Sequence, residues 1–216
     1  MKETKIILVR HGESLGNAGK ILLGRTDLDL SELGYLQAEA CAKFLSCEHI
    51  DEIHSSSLMR AMHTAEPHAK IRGMQVMPND NLREIFLGDW ENKTVDEIVE
   101  KWGYDSYYVD WQHGYGTFVC PNGEGVMECG ERFYREVEKI AKAAEGKTVL
   151  VAAHGAVIRT FWAIVLGIAP EDIAAAFPFP SNASCSYLTY SDGKFVAEEY
   201  SYNEYLSEVG ITNINF

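Results

Sequence analysis

Apolar and polar positions along this chain take up strand-like and helix-like periods in turn. Residues 6–9, IILV, are apolar without interruption and β-branched at their start, as in a strand buried on both faces. Residues 16–29 lose any period at Gly19, Gly24 and Asp27 and read as a loop. Ser31 then occupies an N-cap position, and Leu33, Leu36, Ala40, Cys41 and Phe44 recur at helical spacing to about Ser46. A brief strand is expected at 51–54. A helix follows through LMRAMHTAE, with Arg60 in its first turn and serines 55–57 placed to cap it. Residues 74–77 suggest an edge or parallel strand, and 82–91 a loop carrying Glu84 and Trp90. Thr94 and Glu97, three apart, mark a capping box for a helix over 94–102. After Gly123 to Gly125, the face Phe133, Val137, Ile140, Ala141 and Ala144 predicts a long helix ending at Gly146. TVLVAA within 147–153 is the second buried-strand signal, and AVIRTFWAIVLG behind it is apolar nearly all round, as in a buried helix. A short helix is expected at 170–176, and a hairpin joins 183–190 to 195–200 about Asp192-Gly193.

This alternation predicts an α/β protein, and no repeat or linker divides it: residues 1–216 read as a single domain with an aromatic-rich insertion at about 103–122. Tyr104, Tyr107, Tyr108, Trp111, Tyr115 and Phe118 crowd that insertion, which is either a lid or pocket wall or simply packs against the rest. The net charge of −13 repels nucleic acid and anionic membranes, so neither is expected as a partner. It also disfavours an anionic ligand unless basic groups are gathered locally. The five cysteines form no CxxC pair and read as reduced thiols. With no targeting or membrane-spanning segment in view, the expected location is cytoplasmic.

Local gathering of charge is what LVRHGESLGN, at 8–17, offers. Arg10, a planar permanent cation, and His11, a base or nucleophile near neutral pH, follow directly on the first buried strand, with Gly12 beside them. The second buried strand likewise runs into His154-Gly155. If the two are parallel neighbours, as right-handed crossovers would make them, Arg10, His11, Arg60 and His154 meet in one crevice at the carboxyl ends of the strands. The remaining histidines, His49, His54, His63, His68 and His113, read as surface or packing residues. Glu13 reads as a cap, Ser14 is open between cap and ligand, Trp90 reads as core, and Arg25 and Lys20 are within reach of a second anionic group but read by default as solvated loop residues. Outside its motif, Glu84 would simply pair with Arg83 or another cation.

The segments LVRHGES with Asn17, SSSLMRAMHTAE, LREIFLGDWEN, PNGEG and VLVAAHGAVIR, taken in order, resemble the motifs of the histidine phosphatase superfamily, in its phosphoglycerate-mutase-like branch and phosphatase subgroup. The resemblance spans Lys5 to about Gly167. It implies a three-layer α/β/α sandwich with a central, mostly parallel sheet and a covalent phosphohistidine, with no metal and no cofactor. His11 would be the nucleophile, Arg10, Arg60 and His154 the phosphate clamp, Asn17 a further phosphate contact and Glu84 the proton donor and acceptor. Gly24 and Gly155 would border the substrate. The expected activity is metal-independent hydrolysis of a small phosphorylated metabolite. The alternatives are a cofactor-dependent phosphoglycerate mutase, whose LNERHYG-like pattern is missing from 82–92, and a non-catalytic phospholigand-binding protein. Oligomeric state is left open. The chain departs from the family's common pattern at Leu23-Gly24, at Trp90-Glu91-Asn92 where WEG is usual, and at Gly123-Glu124-Gly125 where GES is usual.

Overall fold

In the computed structural model, residues 2–212 are described. Strand β1 (Thr4–Arg10) leads to a one-turn helix α1 (Leu15–Ala18), a two-residue strand β2 (Ile21–Leu22) and helix α2 (Glu32–Phe44). Next come β3 (Glu52–Ser56), α3 (Met59–Arg72), β4 (Val76–Asn79), β5 (Lys93–Thr94) and α4 (Val95–Trp102). A π-helical turn (Ser106–Trp111) precedes α5 (Val126–Ala143), β6 (Thr148–Ala153), α6 (Gly155–Leu166) and α7 (Ile173–Ala176). The hairpin β7 (Cys185–Ser191) and β8 (Lys194–Tyr202) follows. No described helix is long and apolar enough to cross a membrane.

Six strands form one sheet in the order β4-β3-β6-β1-β7-β8. The first four are mutually parallel, and β7 and β8 extend the sheet antiparallel. Because side chains alternate faces along a strand, β1 and β6 build two cores at once. Ile6, Leu8, Val149, Val151 and Ala153 meet Phe133, Val137 and Phe161 of α5 and α6 on one face. Ile7, Val9, Leu150 and Ala152 meet Cys41 of α2 and Ala65 and Ala69 of α3 on the other. The result is a three-layer α/β/α sandwich with a mostly parallel sheet. Every residue of α6 from 155 to 163 is buried, which accounts for its all-round apolarity. At the hairpin turn Asp192 and Gly193 both take positive φ, 51° and 79°, as a two-residue turn between twisted strands requires.

Three expectations need correction. The 16–29 loop contains α1, closed by a capping box between Ser14 and Asn17, and β2, which pairs with β5. Both are too short to establish a period. Ser55 and Ser56 belong to β3, and α3 has Leu58 at its N-cap, without a side-chain cap; Asp27 Oδ1 accepts from Met59 N at 2.8 Å instead. The aromatic segment is both packing and pocket wall. Trp90, Tyr107, Trp111 and Phe118 pack ring on ring, while Tyr107 and Trp111 also line the main cavity.

His68 of α3 is a packing residue, as expected, but neither ring nitrogen has a partner. Burial, helped by Arg72, pushes its pKa down to about 3. Between about 3 and the ordinary 6.5 the unfolded chain therefore binds a proton that the folded chain refuses, and stability rises with pH across that window. Replacing His68 with methionine is expected to flatten the loss of stability below pH 6.5 by about 1.4 kcal/mol per pH unit. Urea unfolding at neutral pH and in mild acid checks this; an unchanged acid slope would exclude His68 as the cause.

Candidate active site

The sheet register brings the two His-Gly turns together. Arg10 is level with Ala153 across the β1–β6 ladder, and His11 N donates to Ala153 O at 2.9 Å. The rings of His11 and His154 consequently stand 5.2 Å apart. The chain leaving β1 runs hard against α2: a Cβ on Gly12 would lie 2.4 Å from Gly34 O. Gly12 N donates to Thr64 Oγ1 of α3 at 3.0 Å. His11 Nδ1 is 2.7 Å from Gly12 O and so carries the ring proton, leaving the lone pair on Nε2.

Arg10, His11 and Arg60 are buried at this point. Burial, then Arg60 and Arg10, holds His11 well below the usual histidine range, against a smaller upward pull from the Gly12 hydrogen bond. The imidazole is therefore neutral at physiological pH. Burial also pushes both arginines down to about 10, with Glu84 opposing, and they remain cations at neutral pH. Arg60 is fixed by bonds to Thr26 O at 2.9 Å and Gly24 O at 2.7 Å, and Arg10 by Pro180 O.

These groups open into a cavity of about 460 Å³. Arg10, His11, Asn17, Gly24, Arg60, Glu84 and Gly155, all expected at the site from sequence, line it. His154 does not. It is fully buried beside His11, and its Nε2 shares a 2.7 Å hydrogen bond with Ser56 Oγ. Burial, Arg60 and His11 in that order hold it well below the usual range, so it too is neutral. Arg10 Nε and His154 Nδ1 are buried without a protein partner.

Glu84 docks on the N-terminus of α6. Its Oε2 accepts from Ala156 N at 3.0 Å, and its Oε1 from Val157 N at 3.2 Å and Ile85 N at 3.0 Å. Its supposed partner Arg83 pairs with Asp80 instead. The loop is held from behind by Arg132 of α5, which donates to Asn81 O, Arg83 O and Glu84 O and pairs with Glu124 at 2.9 Å. Arg25 joins the same network through Glu124 at 3.2 Å and Glu84 O at 3.3 Å, and so is not a free loop cation.

Other expectations shift as well. Ser14, not Glu13, caps α1, and it also lines the cavity. Glu13 accepts from Ser31 Oγ at 2.6 Å and from Thr212 Oγ1 at 2.9 Å, tying the loop to α2. His113 lines the cavity and is more than a surface residue. Asn182 was not foreseen. Its Nδ2 donates to His11 O, Gly12 O and Asn17 Oδ1 at 2.9, 3.2 and 3.1 Å, locking the loop that presents His11. Nothing in the PSNA stretch distinguishes it from a loop asparagine. Among the departures, Asn92 takes the left-handed φ of 58° that glycine takes freely and asparagine tolerates. Leu23 packs over Gly16 and adds an apolar wall to the cavity. Gly125 caps α5 with no hydroxyl.

Solved structures of phosphatases share this three-layer architecture. The chain belongs to the histidine phosphatase superfamily (branch 1), whose profile matches residues 6–203. It is 34% identical over 185 residues to phosphoserine phosphatase 1 of Hydrogenobacter thermophilus, covering 85% of each chain. It is 29% identical over 193 residues to the probable phosphoglycerate mutase GpmB of Yersinia pestis, covering 89% of this chain and 88% of that one. Among solved structures, a mycobacterial glucosyl-3-phosphoglycerate phosphatase superposes with a TM-score of 0.83 at 25% identity, over 94% of this chain and 100% of that one.

Proposed function

We propose that this protein is a phosphatase that hydrolyses a small phosphomonoester without a metal, through a phosphohistidine on His11. One observation carries the proposal: a neutral histidine with its Nε2 lone pair free shares a cavity of suitable size with two buried arginines that act on it. Arg10 and Arg60 gather the non-bridging oxygens, and Asn17 adds its NH2, its Oδ1 already being engaged by Ser14 N and Asn182. His154, outside the cavity lining, backs the clamp from beside the His11 ring rather than holding the phosphoryl group itself. The Nε2 lone pair forms the P–N bond as the P–O ester bond breaks. The leaving oxygen keeps that electron pair and takes a proton from Glu84. Water then gives a proton to Glu84 and attacks phosphorus, breaking the P–N bond and returning His11 to its neutral form.

Rapid acid quench during turnover of a radiolabelled phosphomonoester is expected to trap acid-labile phosphate on the chain, and EDTA is expected to leave turnover unchanged. Phosphate release with no labelled protein at any quench time would exclude the covalent route, and loss of activity in EDTA would exclude a metal-free one. The relationship to a probable phosphoglycerate mutase supports a second reading. Conversion of 3-phosphoglycerate to its isomer in the presence of 2,3-bisphosphoglycerate, faster than release of phosphate, would favour it.

A further inference from the structure

A third arginine, Arg159 of α6, lines the cavity with Arg10 and Arg60. We propose that Arg159 binds a second anionic group of the substrate, and that the substrate is a phosphomonoester carrying a carboxylate about one helical turn from the phosphoryl site; the position of that site rests on the function proposed above.

Arg159 is only 4% exposed. Its Nη2 donates to Ala174 O at 3.1 Å, and its Nε is buried without a partner. The rings of Tyr115 and Phe179 lie 4.4 and 4.5 Å from its guanidinium carbon, fixing the plane of the fork and shielding it from water. In a chain of net charge −13, Arg25, Arg83, Arg132 and Arg135 find carboxylate partners. Among the described residues Arg10, Arg60, Arg72 and Arg159 find none; Arg72, partly exposed, is held by the backbone carbonyls of Leu45, Glu48 and His68, and the three buried ones line one cavity. An interior cation without a counter-ion is costly, and a bound anion removes that cost. Of the cavity's own carboxylates, Glu84 acts on Arg10 and Arg60 but not on Arg159, and Glu171 is exposed, so Arg159 is the one of the three with no carboxylate acting on it.

Geometry sets the spacing. Gly155 and Arg159 are four residues apart on one face of α6, about 6 Å along its axis. The guanidinium of Arg10 lies 3.3 Å from where a Gly155 Cβ would be. Phe179 lies 3.4 Å from the same point and stacks on Arg159. A single aromatic wall thus runs from the phosphoryl clamp to the second arginine, and a short carbon chain spans it. A planar fork at the far end matches a carboxylate with two parallel hydrogen bonds.

The test compares 3-phosphoglycerate with glycerol 3-phosphate, which differ only by carboxylate against hydroxymethyl. The unaltered chain is expected to favour the glycerate in kcat/KM by about tenfold or more. Arg159→Gln is expected to bring that ratio close to one, mainly through KM for the glycerate, and Arg159→Lys to restore part of it. Equal treatment of both compounds by the unaltered chain, or an equal loss on both in Arg159→Gln, overturns the proposal and leaves Arg159 a packing residue. Calorimetric binding of the same pair to a His11→Ala chain reads the ratio without turnover. Loss of inorganic phosphate binding there counts against the phosphoryl site. A vanished ratio with phosphate binding intact counts against Arg159 alone.

Discussion

His11→Ala is expected to lower kcat by about 10⁴-fold or more on every phosphomonoester tested and to abolish covalent labelling, while inorganic phosphate still binds. The substitution removes the lone pair proposed to attack phosphorus but leaves Arg10 and Arg60 in place. Their anchors, Pro180 O, Thr26 O and Gly24 O, are backbone atoms that do not depend on the imidazole. His154 cannot take over: its Nε2 is engaged with Ser56 Oγ, and it stands outside the cavity lining. The pH profile should carry the same signature. Burial and two neighbouring cations keep His11 deprotonated well below 6.5, so activity should not fall near that pH through protonation of the nucleophile. Stopped assays at matched protein concentration check the prediction. A variant retaining more than about a hundredth of the parent kcat would show that His11 is not the nucleophile.

The parts of this molecule legible from sequence are those whose cause is local. β1 and β6 are buried on both faces, so they appear as apolar runs, and the residues following each run necessarily fall at the ligand-binding edge of the sheet. The nearness of Arg10, His11 and His154 follows from position in this way, Arg60 joins them through the helix start after β3, and Glu84 comes from its motif alone. Ser56 was misread because a serine that ends a strand and one that caps a helix look alike until the strand's length is known. Its hydroxyl instead serves a histidine nearly a hundred residues away in sequence. Arg132, Asn182 and Arg159 reach the site only through tertiary packing. Arg132 sits on the flank of an amphipathic helix, Asn182 in a loop, and Arg159 within a run whose apolarity argued only for burial. The Asn92 departure is conservative in backbone conformation, a property a residue-by-residue comparison does not weigh.

Glu84→Gln separates the two halves of the proposed reaction. With an alkyl phosphate, whose leaving oxygen needs a proton, kcat is expected to fall by about 10²- to 10³-fold. With p-nitrophenyl phosphate the leaving phenolate needs none, so His11 is still phosphorylated. Water must nonetheless lose a proton in the second step. The expected result is a burst of p-nitrophenolate near one equivalent per chain, then slow turnover and accumulation of the labelled intermediate. A purely structural role predicts something else. Glu84 holds Ala156 N and Val157 N, and its own carbonyl is held by Arg25 and Arg132. Glutamine keeps an acceptor oxygen for one of those amides and leaves the backbone bonds intact, so a buttress would be only partly weakened. Both substrates would then lose rate together, and no intermediate would build up. A burst with one leaving group and a slowed first step with the other requires that Glu84 move a proton in each half of the cycle.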